Sequence, residues 1–204
     1  MLLPIHPVNP EPRKIQQVID VLHGAGVIIY PTDTIYGLGC DLMQPKAIDR
    51  IYRIRRMDPQ KALLTLICQD ISQVAQYAHQ IDNEVFRLMK KNMPGPFTFI
   101  LRAGHQLPKT LRNRKGTIGV RIPEHKITQA ILESLQRPML SASLRSDDNF
   151  LEYENDPEDM QELFGHQVDL VIDGGIGSRT PSTVVDCTGE EPVVIREGAG
   201  ELRF

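Results

Sequence analysis

Val27-Ile28-Ile29-Tyr30-Pro31-Thr32-Asp33-Thr34-Ile35-Tyr36-Gly37-Leu38-Gly39 is the stretch on which the fold turns. Its first four residues form a short apolar run, the pattern of a strand buried on both faces of a sheet. Pro31 stops that run. The eight residues after it include two threonines, an aspartate, a tyrosine and two glycines. In α/β sheets, ligands gather at the carboxyl ends of strands. Hydroxyls there supply hydrogen-bonding groups, and glycines let a ligand approach the backbone closely. A plain turn, with threonine hydroxyls capping local backbone, accounts for the same residues without a ligand. Both readings stay open at this point.

On the amino-terminal side, Ile15, Val18, Ile19 and Leu22 are spaced for one helical face. They follow the breaker Asn9-Pro10-Glu11-Pro12, and Gly24 and Gly26 end the helix. On the other side, a helix is expected from Ala47 to Arg56, then a strand over residues 63–68. Ile81, Val85, Leu88 and Met89 mark another helix, which stops at Met93-Pro94-Gly95-Pro96. Residues 97–101 and 118–122 read as strands. Ile127, Ala130, Ile131 and Leu135 form a further helical stripe. Strands are expected over 138–143, 168–172, 182–187 and 193–196. A short helix should begin after Asn155-Asp156-Pro157. Helices interleaved with strands imply an α/β domain. The carboxy-terminal third has strands with little helix between them, which predicts a mixed sheet. At 204 residues, the chain is expected to be one domain over 1–204.

Bulk properties narrow the function classes. The formal net charge is −3, so any nucleic-acid contact needs a local basic patch. No apolar run approaches 18 residues, and residues 1–7 lack a basic, then apolar, leader. A cytoplasmic protein without membrane contact is expected. Cys40, Cys68 and Cys187 are odd in number and contain no CxxC, which argues against a disulfide framework or a zinc site. Cys68 and Cys187 read as buried thiols at strand ends, while Cys40 lies nearer the possible chemistry. The six histidines show no metal-ligand pairing, so no metal is assigned. His125, close to Arg121, has a possible supporting polar role. Walker, GxGxxG, HExxH and GxSxG patterns are absent.

Five further groups stand out. Arg50, Arg53 and Arg56 fall outside the apolar stripe of their helix and suit a solvated face or phosphate contacts. Arg55 falls inside it, where an unpaired guanidinium is costly. From a helix end, Arg55 can reach a cleft and grip a phosphate or carboxylate. Thr98 follows Pro94-Gly95-Pro96-Phe97, and Arg121 ends an apolar strand before Pro123. A buried ion pair or an anion site would each explain Arg121. Ser141-Ala142-Ser143-Leu144-Arg145 reads as an anion cradle or a serine-rich turn. Ser182-Thr183, with Arg196, reads as a ligand wall or as hairpin chemistry. The run from Lys109 to Lys115, with Arg112, is basic or simply solvated.

Taken together, residues 31–39, 51–67, 94–101, 118–123, 138–143, 182–186 and 196–198 resemble the YrdC/YciO family of threonylcarbamoyl-AMP synthases and their paralogues. The order and spacing of the pieces carry the resemblance. It implies a twisted open α/β sandwich with a mixed sheet and a concave basic surface. It also implies a synthase joining ATP, bicarbonate and L-threonine, with Mg2+ on the phosphates, for threonylcarbamoyladenosine formation in tRNA. Arg55, Arg121 and Arg196 would be catalytic. Thr32, Thr34, Tyr36, Thr98, Ser143, Ser182 and Thr183 would bind substrate or nucleotide. Arg50, Arg53, Arg56, Lys109 and Arg112 are candidates for RNA contact. Two positions depart from the synthase pattern. Met57 stands where the synthases carry an arginine, and Arg145 where they carry an asparagine. These changes make the chain similar to the YciO branch. A paralogue that binds double-stranded RNA, tRNA or ATP, or hydrolyses a carbamoyl-adenylate, is the alternative.

Overall fold

In the computed structural model, residues 1–108, 111, 113–144 and 155–204 are described. The strands are β1 (Leu2–Pro4), β2 (Val27–Tyr30), β3 (Gly37–Asp41), β4 (Thr65–Ile67), β5 (Phe97–Arg102), β6 (Thr117–Arg121), β7 (Met139–Ser143), β8 (Leu170–Asp173), β9 (Thr183–Asp186) and β10 (Val193–Arg196). The helices are α1 (Pro12–His23), α2 (Pro45–Ile54), α3 (Ile71–Tyr77), α4 (Asn83–Asn92), α5 (Lys126–Leu135) and α6 (Pro157–Phe164). All ten strands form one sheet, ordered β1-β8-β2-β3-β7-β4-β6-β5-β9-β10. Pairing is mixed: β2 runs parallel to β8 and β4 to β6, whereas β3 is antiparallel to both β2 and β7.

The mixed α/β expectation therefore holds, with differences at particular elements. The stretch after Pro31 reads from sequence as a turn or a ligand loop; in the structure it returns from Gly37 as β3 beside β2. Two glycines two residues apart sit on one face of that strand, and there the flat ring of Tyr30 lies against them. A methyl group at Gly37 or Gly39 would come within 2.9 or 2.7 Å of that ring. The short strand β1 and helix α3 carry too few periodic residues to be seen in the sequence. Helix α3 begins with Asp70, whose side chain accepts from the Gln73 amide at 2.8 Å, an N-cap. Helix α2 ends at Ile54, and Arg56 takes a positive φ of 49°. Arg55 and Arg56 thus belong to the helix exit, not its last turn.

Register decides which residues share a face. Leu38 pairs with Ala142, Leu66 with Val120 and Phe99 with Val120. These residues, with Val27, Ile29 and Val185, face a large core that also takes residues from α2, α3, α4 and α6. The opposite face divides in two. Over β8 and β2 it is apolar, and Ile28, Leu170 and Ile172 pack under the stripes of α1 and α5. Towards β9 the same face carries Ser141, Thr65, Gly119, Thr98 and Val184, whose registers align them. No helix stripe meets these residues within that second core. Among the described residues, one half of one face is therefore left as an open trough, consistent with apolar-in, polar-out alternation along β5, β6 and β9.

Candidate functional site

A cleft of about 200 Å³ lies at one end of the trough. Its floor is Tyr30, the last residue of β2. The buried Tyr30 hydroxyl donates to Ser141 Oγ at 2.7 Å, and Ser141 Oγ donates to the Leu38 carbonyl at 3.2 Å. Burial pushes the Tyr30 pKa up to about 12. At physiological pH it therefore remains a neutral donor.

One wall is the turn after Pro31. Thr32 Oγ1 donates to the Ile35 carbonyl at 2.7 Å and accepts from the Thr34 amide at 3.0 Å. Arg121, arriving on β6, donates to Thr32 Oγ1 at 3.2 Å and to Thr34 Oγ1 at 2.6 Å. It is also ion-paired with Asp33. The Arg121 and Asp33 side chains are only 8% and 11% exposed. The ion-pair reading of Arg121 is met, and the same residue also lines the cleft. Thr34 is fully buried and does not line the cleft, so it supports Arg121 rather than a ligand. Tyr36 lines the cleft, and its hydroxyl donates to the Gly175 carbonyl at 2.7 Å. Burial raises its pKa to about 12 as well.

The opposite wall is built from β5, β9 and β10. Thr98 Oγ1 and Ser182 Oγ are 2.8 Å apart. Arg196 donates to the Ser182 carbonyl from Nε at 3.2 Å and from a terminal nitrogen at 2.8 Å. That fork holds the guanidinium plane at the cleft edge. Arg55 and Met57 close the cleft from the exit of α2, and Ser143 from β7. The arrangement brings together Thr32, Tyr36, Arg55, Thr98, Arg121, Ser143, Ser182 and Arg196, although they are spread over 165 residues of sequence. Its polar groups are cations and hydroxyls, and no carboxylate lines the cleft among the described residues. Such a lining suits an anionic ligand with several oxygens.

Three sequence expectations need correction. Thr183 alternates away from the cleft, because its neighbours Ser182 and Val184 point inward. Its Oγ1 donates to the Gly200 carbonyl at 2.6 Å and accepts from the Gly198 amide at 3.0 Å. Thr183 therefore fastens the carboxy-terminal segment. Arg50 is not on an open face: it reaches Asp169 at 2.6 Å and the Gln167 carbonyl at 3.0 Å. It braces α2 against the start of β8. Cys40 faces the large core, not the cleft, and burial raises its pKa. Arg53 and Arg56 border a shallow surface hollow next to Met57. Lys109, Arg112 and Arg145 lie outside the described residues.

Asp33 and Ser141 were quoted within their motifs but given no individual role, and Tyr30 was read only as the end of an apolar run. A tyrosine closing a run of valine and isoleucine, opposite two glycines spaced by two, was the available signal for the floor. Behind Arg121, His125 has a buried Nδ1 with no hydrogen-bond partner among the described residues. Burial lowers its pKa, while the Asp33 charge acts in the opposite direction. In the folded state His125 then binds fewer protons than in the unfolded chain near its ordinary pKa. Stability should fall as pH drops below about 6.5, towards the lower folded value. Urea midpoints at pH 7.5 and 5.0 should show a loss that shrinks in His125→Gln. An equal loss in both proteins would exclude His125 as the source.

Among the described residues, no helix is long and apolar enough to cross a membrane. No group of three or more His, Cys, Asp or Glu is placed to hold a metal among them. Comparisons with known proteins agree with the architecture. The Sua5/YciO/YrdC family model, described as telomere recombination, matches residues 20–198. YciO of Escherichia coli strain K12 is 44% identical, over 98% of this chain and 96% of the relative. The crystal structure of E. coli YciO superposes with a TM-score of 0.92 at 43% identity, covering 98% of this chain and 97% of that one. Sua5 of P. abyssi, complexed with L-threonine, superposes at 0.88 with 26% identity. The match covers 97% of this chain and 57% of that longer one.

Proposed function

Because the chain belongs to the Sua5/YciO/YrdC family, we propose that its cleft forms a carbamoyl-adenylate from ATP, bicarbonate and an amino acid, with L-threonine as the preferred one. The observation that carries this reading is the pair of facing walls around one small cavity. Thr32 and Arg121 stand on one side, and Thr98, Ser182 and Arg196 on the other. A related Sua5 binds L-threonine, and a volume of about 200 Å³ suits an amino acid with the reacting phosphate. A whole nucleotide requires the larger range of roughly 300–1,000 Å³, so its remainder would extend into the open trough.

In this scheme the free amine of threonine attacks bicarbonate, and water leaves. The resulting carbamate oxygen attacks the α-phosphorus of ATP, and pyrophosphate departs. The threonylcarbamoyl-AMP product then serves tRNA modification. Negative charge accumulates on the carbamate and the phosphate oxygens. Arg55 and Arg196 offset it from fixed positions, which costs no reorganisation during the reaction. The hydroxyls of Thr98 and Ser182 supply donors beside them. Arg121 acts differently. With its charge offset by Asp33, it orients Thr32 and can donate to a neutral or singly charged group. Magnesium would arrive on the phosphates of ATP as part of the substrate.

Met57 favours a second reading. It lies in the cleft, where the resembling synthases carry an arginine. A thioether there weakens phosphate contact, as expected for a paralogue that binds a nucleotide or RNA, or hydrolyses a carbamoyl-adenylate. One assay separates the two. Incubation with ATP, magnesium, bicarbonate and threonine, followed by chromatography with mass detection, should yield a threonylcarbamoyl-AMP peak that disappears without threonine. Met57→Arg should increase it. Folded protein that gives no peak in either form would remove the synthase reading and leave the paralogue.

A further inference from the structure

Arg121 is bonded from one corner. Its side-chain bonds to Thr32, Asp33 and Thr34 all leave from the same terminal nitrogen. That nitrogen carries two hydrogens for three acceptors, so the acceptors compete. Arg121 Nε is buried and meets no acceptor among the described residues. Asp33 shows a matching imbalance. Its Oδ1 is taken by Arg121, while its Oδ2 is buried without a partner among the described residues. His125 Nδ1 is a third buried atom of this kind. The Asp33 charge acts on His125, so carboxylate and imidazole lie within electrostatic reach of each other.

These three atoms sort by chemistry. Oδ2 is an acceptor and Nε–H a donor. Nδ1 of a neutral imidazole accepts or donates according to the tautomer, but in an imidazolium it always donates. A proton on His125 therefore creates a donor for the idle oxygen of Asp33. Two features otherwise keep the ring neutral. Burial disfavours the cation. His125 is also the N-cap of α5 and makes no side-chain cap bond, and there the positive end of the helix dipole opposes a cation. Against both stands the Asp33 charge, from the turn after β2, with Arg121 of β6 paired to it. The chain neighbours Glu124 and Lys126 are exposed.

We propose that His125 is a positioning residue for the anion in the cleft: once protonated, it engages Asp33 and so releases the Arg121 charge towards the ligand. This role rests only on the anion-binding part of the proposed function, whichever amino acid or nucleotide enters. With His125 neutral, Asp33 is committed to Arg121, and the cleft presents Arg55 and Arg196. With His125 protonated, Asp33 is shared, and Arg121, which lines the cleft, adds a third guanidinium. The coupling is reciprocal. An anion that draws Arg121 from Asp33 leaves the carboxylate to hold a proton on His125.

Sulfate keeps one charge between pH 7.5 and 5.0 and serves as the probe. Calorimetric titration of the whole chain should show its affinity rising about tenfold over that range, with the midpoint below about 6.5. By reciprocity, sulfate should move the His125 titration upward by about one pH unit, read from its imidazole resonances. His125→Gln should remove most of the rise. Arg121→Gln should do the same, which places the effect in the cleft. Asp33→Asn, shown to be folded by circular dichroism, should bind sulfate at pH 7.5 about as tightly as the unaltered protein does at pH 5.0. Weaker binding in folded Asp33→Asn would overturn the proposal. So would an equal rise in His125→Gln, because other histidines then account for it. A His125 titration unmoved by sulfate would also overturn it, and is the result for a side chain that only supports the fold. The last two readouts do not depend on the folding of Asp33→Asn. Threonylcarbamoyl-AMP formation alongside a pH-independent sulfate affinity would overturn this role alone. Absence of sulfate binding at every pH would overturn it together with the anion reading of the cleft.

Discussion

Replacement of Asp33 by alanine is expected to lower the free energy of unfolding by about 3–5 kcal/mol, the usual result of stripping one partner from a buried ion pair. The reason lies in what remains. Arg121, 8% exposed, keeps its bonds to Thr32 and Thr34, but those hydroxyls carry no charge. A guanidinium without a counter-charge would then sit at the base of the cleft. Loss of the pair as a whole should be milder: Asp33→Leu with Arg121→Met restores an apolar contact of similar volume, and such exchanges are often near neutral. Urea denaturation of the three proteins measures both effects. A loss under about 1 kcal/mol in Asp33→Ala would mean that water reaches Arg121, and the buried-pair description would fail.

The second large effect is on turnover. Arg196→Ala should reduce kcat/KM for carbamoyl-adenylate formation by roughly 10²–10³, the scale for removing one fixed donor to a developing charge. Its guanidinium is held by the Ser182 carbonyl, with two N–H groups on one oxygen. Position is therefore part of its contribution, and Arg196→Lys should recover little, because an ammonium cannot reproduce that fork. Thermal unfolding should change little, since the residue is exposed. Steady-state kinetics with full activity in Arg196→Ala would remove it from the mechanism, whatever its place in the cleft.

Much of this arrangement was legible from the chain. The apolar runs at 27–30 and 97–101 and the helical stripes of α1, α4 and α5 appear where periodicity put them. The clustering of Thr32, Thr98, Ser143, Ser182 and Arg196 followed from family resemblance and was then met in space. What was missed depends on pairing that a single sequence does not display. Gly37 and Gly39 looked like loop residues because their partner is a ring on the neighbouring strand, not a residue nearby. Thr183 was placed on the wrong side because strand alternation fixes its side only once the phase of Ser182 is known. Arg50 read as solvated because its partner, Asp169, lies 119 residues away. Asp33 was quoted within the motif but given no partner, since only the fold brings Arg121 to it.

The sheet order has a consequence for biogenesis. The wall carrying Ser182 is β9, which lies beside β5 although 84 residues separate Thr98 from Ser182. Strand β1 likewise awaits β8. During synthesis at about 5–20 residues per second, the amino-terminal half must wait several seconds for its neighbours. Neither trough nor cleft has its far wall until β9 and β10 have emerged. Long-range pairings of this kind slow folding, because loop closure precedes its reward. A nascent chain stopped near residue 180 would expose the β5 edge as an unpaired strand, a template for association with other chains. For this protein, emergence of β9 and creation of the site are nearly the same event.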